Sequence, residues 1–187
     1  MNETTKELLR IVSDFDGSFH GAYNIRVDGT CAGRQSSEHI KIYTKEDAPG
    51  LVIRVDPNTK GERVSIPACV THGNVDDLVY NDFFIGENAD VVIVAGCGVH
   101  TDNGEPARHN GIHRFVLGSG ARVKYLEKHI GTGKGNAAPL ILSPRRFSAK
   151  GARLRWTRRR SAALTAPCAK QEPRLKKTQS CSFVSAS

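Results

Sequence analysis

Cysteine and histidine carry the most chemistry in this protein, and their spacing is uneven. Cys69-Val-Thr-His72 and Cys97-Gly-Val-His100 are both C-x-x-H, and Arg108-His109-Asn-Gly-Ile-His113 adds two histidines four residues apart. A soft thiolate and imidazoles within reach of one another suit zinc, iron or an iron–sulfur species. The series Cys97-x2-His100-x8-His109-x3-His113 would close one site if the histidine pair lay on a helix, but Asn110-Gly111 between them reads as a turn. On a strand, residues four apart share a face yet lie about 13 Å apart along it. The competing reading makes the histidines a wet strand face and the cysteines small core residues.

Other groups offer less. Gly131-Thr-Gly-Lys134-Gly lacks the G-x4-G-K-[ST] spacing of a phosphate-cradling loop, so no nucleotide is expected on this chain. Asp14-Phe-Asp16-Gly reads as a turn, and Asp76-Asp77 as a solvated loop pair before a cation site. Cys31, between Gly29 and Gly33, is either an exposed reactive thiol or a turn residue. No Ser-His-Asp order stands out.

The elements that must position these groups are mostly strands. Thr4 to Val12 reads as a short N-terminal helix, with Thr4 as its cap and Leu8, Leu9 and Val12 on one face. Beyond it, β-branched stretches recur between Gly, Asn, Asp and Pro: Leu51 to Val55, Arg63 to Ile66, Asp90 to Ala95, Ile112 to Leu117 and Ala121 to Leu126. No later segment keeps a long 3.6-residue period, so the body is all-β. Gly86-Glu-Asn-Ala89-Asp-Val91 returns as Gly118-Ser-Gly-Ala121-Arg-Val123, 32 residues on. A stacked solenoid repeats a turn, a small inward residue and a strand in this way. A sandwich with Gly-rich hairpins would give the same pattern.

At 187 residues the protein is one domain's worth and long enough to bury a core. No apolar run approaches the ~18 to 20 residues that cross a bilayer, and Glu3 and Glu7 break the first ten residues as a signal peptide. A cytoplasmic protein without a membrane partner is expected, and five cysteines fit a reducing compartment. The net charge of +8 conceals a division. Residues 1–136 hold 15 Lys/Arg against 18 Asp/Glu, whereas 137–187 hold 12 against 1. His, Asn, Asp and Tyr are absent from 137 onward. All four are coded by adenine in the second position followed by a pyrimidine, so their joint loss points to a shifted reading frame. Arg153 to Arg160 (RLRWTRRR) shows no sustained apolar period. An irregular or disordered basic C-terminal tail is expected from 137 to 187.

The runs Gly86 to Cys97, Arg108 to His113, and Val116-Leu-Gly-Ser-Gly-Ala121-Arg-Val-Lys-Tyr125 together resemble the core of the SufB/SufD family of iron–sulfur cluster assembly proteins, in its short SufB-like form. That family shows a glycine-alanine strand, a Gly-Cys, a histidine-bearing segment and a second glycine-alanine strand in this order. The likeness is close over 50–136 and loose over 20–50. It implies a right-handed parallel β-helix (β-solenoid), with residues 1–20 as helix and lead-in and 21–136 as partial β-helix core. It also implies a non-enzymatic scaffold of the SUF machinery that takes up sulfur and iron to form a transient, nascent iron–sulfur cluster. The implied partners are a SufC-like ATPase, a SufB/SufD-type paralogue or a second copy of this protein, and a sulfur donor protein. Cys97 matches the cysteine proposed in the family to receive persulfide sulfur; Cys69, His72, His100, His109 and His113 are candidate metal or cluster neighbours by residue type, with no family motif that assigns each a ligand role. Similar proteins continue with further coils and ATPase-holding helices. Translating that continuation one base out of register gives a stretch like Leu154 to Pro167 (LRWTRRRSAALTAP). Residues 137–187 are therefore expected to be out of frame, which leaves the protein truncated at its C-terminal end.

Two other functions compete. The basic tail would bind nucleic acid, with Trp156 free to stack on bases. A zinc-dependent hydrolase would use the His/Cys cluster with Asp76 or Glu105 as base.

Overall fold

The computed structural model describes residues 1–102, 104–133, 137–141, 145–148, 150–160 and 179–182. Lys134, and the tail segments 161–178 and 183–187, lie outside the described residues. The fold is mostly β-sheet with one short helix, α1 (Glu3–Ser13). The helix begins one residue before the expected Thr4, because Asn2 is the cap: its Oδ1 accepts from the Thr5 amide at 2.8 Å. It ends at Asp14, which adopts the left-handed conformation of a C-cap (φ 58°).

Two antiparallel hairpins follow, β1 (Ala22–Val27) with β2 (Thr30–Gln35) and β3 (Ile40–Thr44) with β4 (Gly50–Val55). The backbone then runs through β5 (Lys60–Val70), β6 (Asp76–Ile85), β7 (Asp90–Thr101), β8 (Ala107–Leu117) and β9 (Arg122–Gly133). Beyond these lie β10 (Ala137–Ile141), β11 (Arg145–Ser148), β12 (Arg153–Arg160) and β13 (Gln179–Ser182). Strands from β4 to β9 alternate between two sheets, ordered β13-β12-β9-β7-β5-β1-β2 and β10-β8-β6-β4-β3, with β11 also on β8. Apart from the two hairpins and β12 with β13, the paired strands are parallel.

The repeated turn sets the register. Val91 pairs with Val123, as the sequence echo implies. The backbone also stacks: the Asn58 amide donates to Glu87 O, that of Asn88 to Ser119 O, and that of Gly120 to Lys150 O. Each of these corners holds a left-handed residue, Asn58, Asn88, Gly120 and Gly151, followed by a buried Thr59, Ala89, Ala121 or Ala152. The repeat of Gly86 to Val91 at Gly118 to Val123 is the middle pair of this four-copy series; Gly151-Ala-Arg-Leu154 repeats Gly120-Ala-Arg-Val123 as well, and Asn takes the place of Gly at the first two corners.

The two sheets enclose one apolar core. Phe83 of β6 stacks on Phe115 of β8 at 4.6 Å, and Tyr125 of β9 meets Phe115 edge-on at 5.3 Å. The expected irregular tail is corrected at β12, which pairs in register with β9 from Arg153↔Arg122 to Arg160↔His129. Its alternation is short but present: Ala152 and Leu154 are buried, Trp156 packs on the core, and Arg153 and Arg155 face water. The crowd of arginines masks that period of two in the sequence.

Helix α1 lies on the outer face of the β5–β7–β9 sheet. Leu8, Leu9 and Val12 bury there with Cys69 and Ile130. Gly96 and Gly98 make room for it, because a Cβ on Gly96 would stand 2.3 Å from Val12 O and one on Gly98 3.0 Å from Leu8 Cβ. Cys97, between them, points the opposite way, into the interior.

Candidate functional site

Strand alternation decides which of the reactive residues meet. On β7, Cys97 faces inward while His100, three residues on, faces outward, because an odd offset on a strand reverses the face. The other C-x-x-H is split as well. Cys69 is buried under α1, and His72 lies in an exposed turn, 3.3 Å from Asp28. His100 belongs to the helix side, where its ring nitrogens contact Thr132 Oγ1 at 2.8 Å and Asp102 Oδ1 at 2.9 Å. His109 and His113, four apart on β8, share the inner face and are both buried.

Cys97, His109 and His113 therefore border one cavity of about 590 Å³ between the sheets. Asn81, the register partner of His113, lies between the histidines and β4, where its Oδ1 accepts from the Leu51 amide at 3.0 Å. Across the other sheet, pairing aligns Cys31, Arg26, Ala68, Cys97 and His129 in one transverse row. Cys31 is exposed, near the hairpin end of this row, with its thiol 3.5 Å from Asn24 Oδ1.

The sequence reading missed the residue that organises the site. Asp76 and Asp77 are not a solvated pair: Asp76 faces out to Arg108, and Asp77 faces in and is 6% exposed. Asp77 takes a two-pronged bond from Arg26, Nε at 2.8 Å and Nη2 at 2.6 Å, and its Oδ2 stands 2.8 Å from His109 Nδ1. Burial alone would raise the Asp77 carboxyl, but His109 and Arg26 outweigh it and hold it well below the usual carboxylate range. Against an ionised carboxylate, Nδ1 is the donor of this contact, which fixes the ring orientation of His109 and leaves Nε2 turned away from Asp77. The available signal was the alternation Asp77-x-Val79-x-Asn81-x-Phe83-x-Ile85, all buried at odd positions.

Electrostatics distinguish the remaining groups. Burial pushes the Cys97 thiol up, so it is held as a thiol at neutral pH. Burial, followed by the charge of Asp28, pushes Cys69 up to about 12. Burial lowers His113 to about 4, which keeps it neutral, and its Nδ1 has no hydrogen-bond partner among the described residues. Deeper along β9, the enclosed Glu127 accepts from Trp156 Nε1 at 3.0 Å and from Arg158 Nε at 2.8 Å. Trp156 also packs on Tyr125 at 4.7 Å, so the indole expected to be free for base stacking is committed to the fold.

Among the described residues, no three His, Cys, Asp or Glu side chains are grouped to hold a metal ion. The expectation of an iron–sulfur cluster on this protein is corrected accordingly, and the cause is the strand geometry that sends Cys69, His72 and His100 away from Cys97, His109 and His113. The same geometry dismantles the four-ligand zinc series. Compared with known proteins, the sequence and fold match no family model, no curated protein sequence and no solved structure. Among the described residues, no helix is long and apolar enough to cross a membrane.

Proposed function

We propose that this protein is a sulfur-accepting scaffold component of SUF-type iron–sulfur cluster assembly, with the two sheets forming a right-handed parallel β-helix. The parallel pairing and the alternation between sheets support that architecture, since crossovers between parallel strands are right-handed by strong preference. The observation that carries the functional reading is Cys97 at the wall of an interior cavity that is also bordered by His109, whose ring is held from behind by Asp77. A buried thiol needs a base before it attacks a persulfide, and an Asp-oriented imidazole is suited to take the proton. The protein acts as a scaffold and not as an enzyme, in the cytoplasm, beside a SufC-like ATPase, a sulfur donor protein and a paralogue or second copy. No metal site is assigned to it.

The test is sulfur loading with a persulfide-generating cysteine desulfurase and free cysteine. Wild type gains about one cyanolysable sulfur per molecule, and Cys97→Ala gains none above background. Co-elution of the protein with a SufC-like ATPase in size-exclusion chromatography is expected alongside. Equal loading of Cys97→Ala and wild type would contradict the assignment.

A further inference from the structure

The position of Cys97 constrains how sulfur reaches it. Its residue exposure is 1%, so the persulfide of a docked protein cannot touch it from the surface. Cys31 is the exposed thiol bordering the same cavity, but three strand spacings separate the two along their row, about 14 Å between backbones. Sulfur exchange needs bonding contact, and paired cysteines have Cα atoms roughly 4.4 to 6.8 Å apart. Direct transfer from Cys31 to Cys97 is therefore out of reach, and a molecule must cross the cavity.

The lining describes that molecule. Arg34 borders the cavity with its guanidinium held by neutral acceptors only, Asn24 Oδ1 at 2.8 Å and Thr44 Oγ1 at 2.8 Å, and no carboxylate pairs with it among the described residues. Arg26 and Lys45 border it too, but their charges are met by Asp77 in one case and by Asp47 and Asp82 in the other. Of the three cations on the lining, Arg34 is thus the one without a carboxylate partner among the described residues, and Glu46 borders the cavity as well. At the far side, the unpartnered Nδ1 of His113, in a residue 3% exposed, is a buried polar atom awaiting a hydrogen bond. Its ring occupies space kept clear by Gly111, where a Cβ would come within 2.9 Å of Nε2.

We infer that this cavity admits a peptide-sized, carboxylate-bearing low-molecular-weight persulfide, anchored by Arg34 and delivering its terminal sulfur to Cys97. The inference rests on the reading of Cys97 as the sulfur acceptor. In the step, the S–S bond of the carrier R–S–SH breaks and a new S–S bond forms between Cys97 Sγ and the terminal sulfur. The Cys97 proton ends on the departing thiolate, and the carrier leaves as R–SH. The sulfane sulfur keeps its oxidation state, so no oxidant or reductant is consumed.

Glutathione persulfide is the probe, inorganic hydropolysulfide the comparator without a carboxylate, and the mass of the Cys97 peptide the readout. The full-length protein is expected to gain one sulfur on Cys97 from both. Arg34→Gln slows loading from glutathione persulfide about tenfold relative to loading from hydropolysulfide, the loss of one charge-assisted anchor. An unchanged ratio, or equal slowing with both donors, overturns the carrier while leaving Cys97 as acceptor. Loading from a desulfurase but not from glutathione persulfide does the same. Absence of sulfur on Cys97 from every donor removes the acceptor reading and the inference with it.

Discussion

Asp77 shows how a single carboxylate can order a buried polar site. Removing it by Asp77→Ala strands His109 and the half-buried Arg26, at a cost of about 3 kcal/mol in urea unfolding. His113 gives a pH signature of known sign. Its folded pKa of about 4 lies below its ordinary value of 6.5, so as pH falls the unfolded protein binds the extra proton first. Its contribution is full above 6.5, declines as pH falls, and is gone by about pH 4. Over that window it amounts to about 3 kcal/mol, and His113→Asn flattens the slope of unfolding free energy against pH. Asp77 and Glu127 add a second, more acid loss, because both carboxyls sit below their ordinary values and their stabilisation fades only under about pH 4. Cys97, His109 and His113 were legible in the sequence as reactive types. Asp77 was not, because two adjacent aspartates read as a turn until the alternation of β6 is counted through both.

At the scale of elements, the glycines around Cys97 serve α1 more than the thiol. Gly96→Ala drives a methyl into Val12 O, so it loosens the helix and costs about 2 kcal/mol, with faster amide exchange over Leu8 to Val12. Gly33→Ala is the control: its added methyl meets Tyr23 at an ordinary 3.6 Å, and stability stays within about 0.5 kcal/mol. The helix and the strands β4, β5, β7, β8 and β9 were readable from apolar period and turn residues. The first hairpin, β3 and β6 were not, and in β1 and β6 the cause is that Asn24, Arg26, Asp77 and Asn81 put polar side chains on inward positions. A binary apolar pattern fails where the interior itself is polar, and here that is the candidate site.

For the whole molecule, the stacking of like on like explains both stability and its vulnerable end. Glu127 and Tyr125 of β9 depend on Trp156 and Arg158 of β12 for cover. A protein ending after residue 136 loses that cover and leaves β9 as a bare edge, so it aggregates in size-exclusion chromatography where the 187-residue form elutes as a defined species. The charge asymmetry that marks the tail in the sequence conceals this role, because the arginines of Arg153 to Arg160 look like a solvated run while two of their neighbours, Leu154 and Trp156, reach the core. The most direct test of the proposed sulfur-accepting role of Cys97 is peptide-resolved mass spectrometry of the native protein after brief exposure to a sulfane sulfur donor. The account predicts added sulfur on Cys97, and none on Cys69 behind α1. Sulfur confined to Cys31, or spread equally over Cys69 and Cys97, would contradict it.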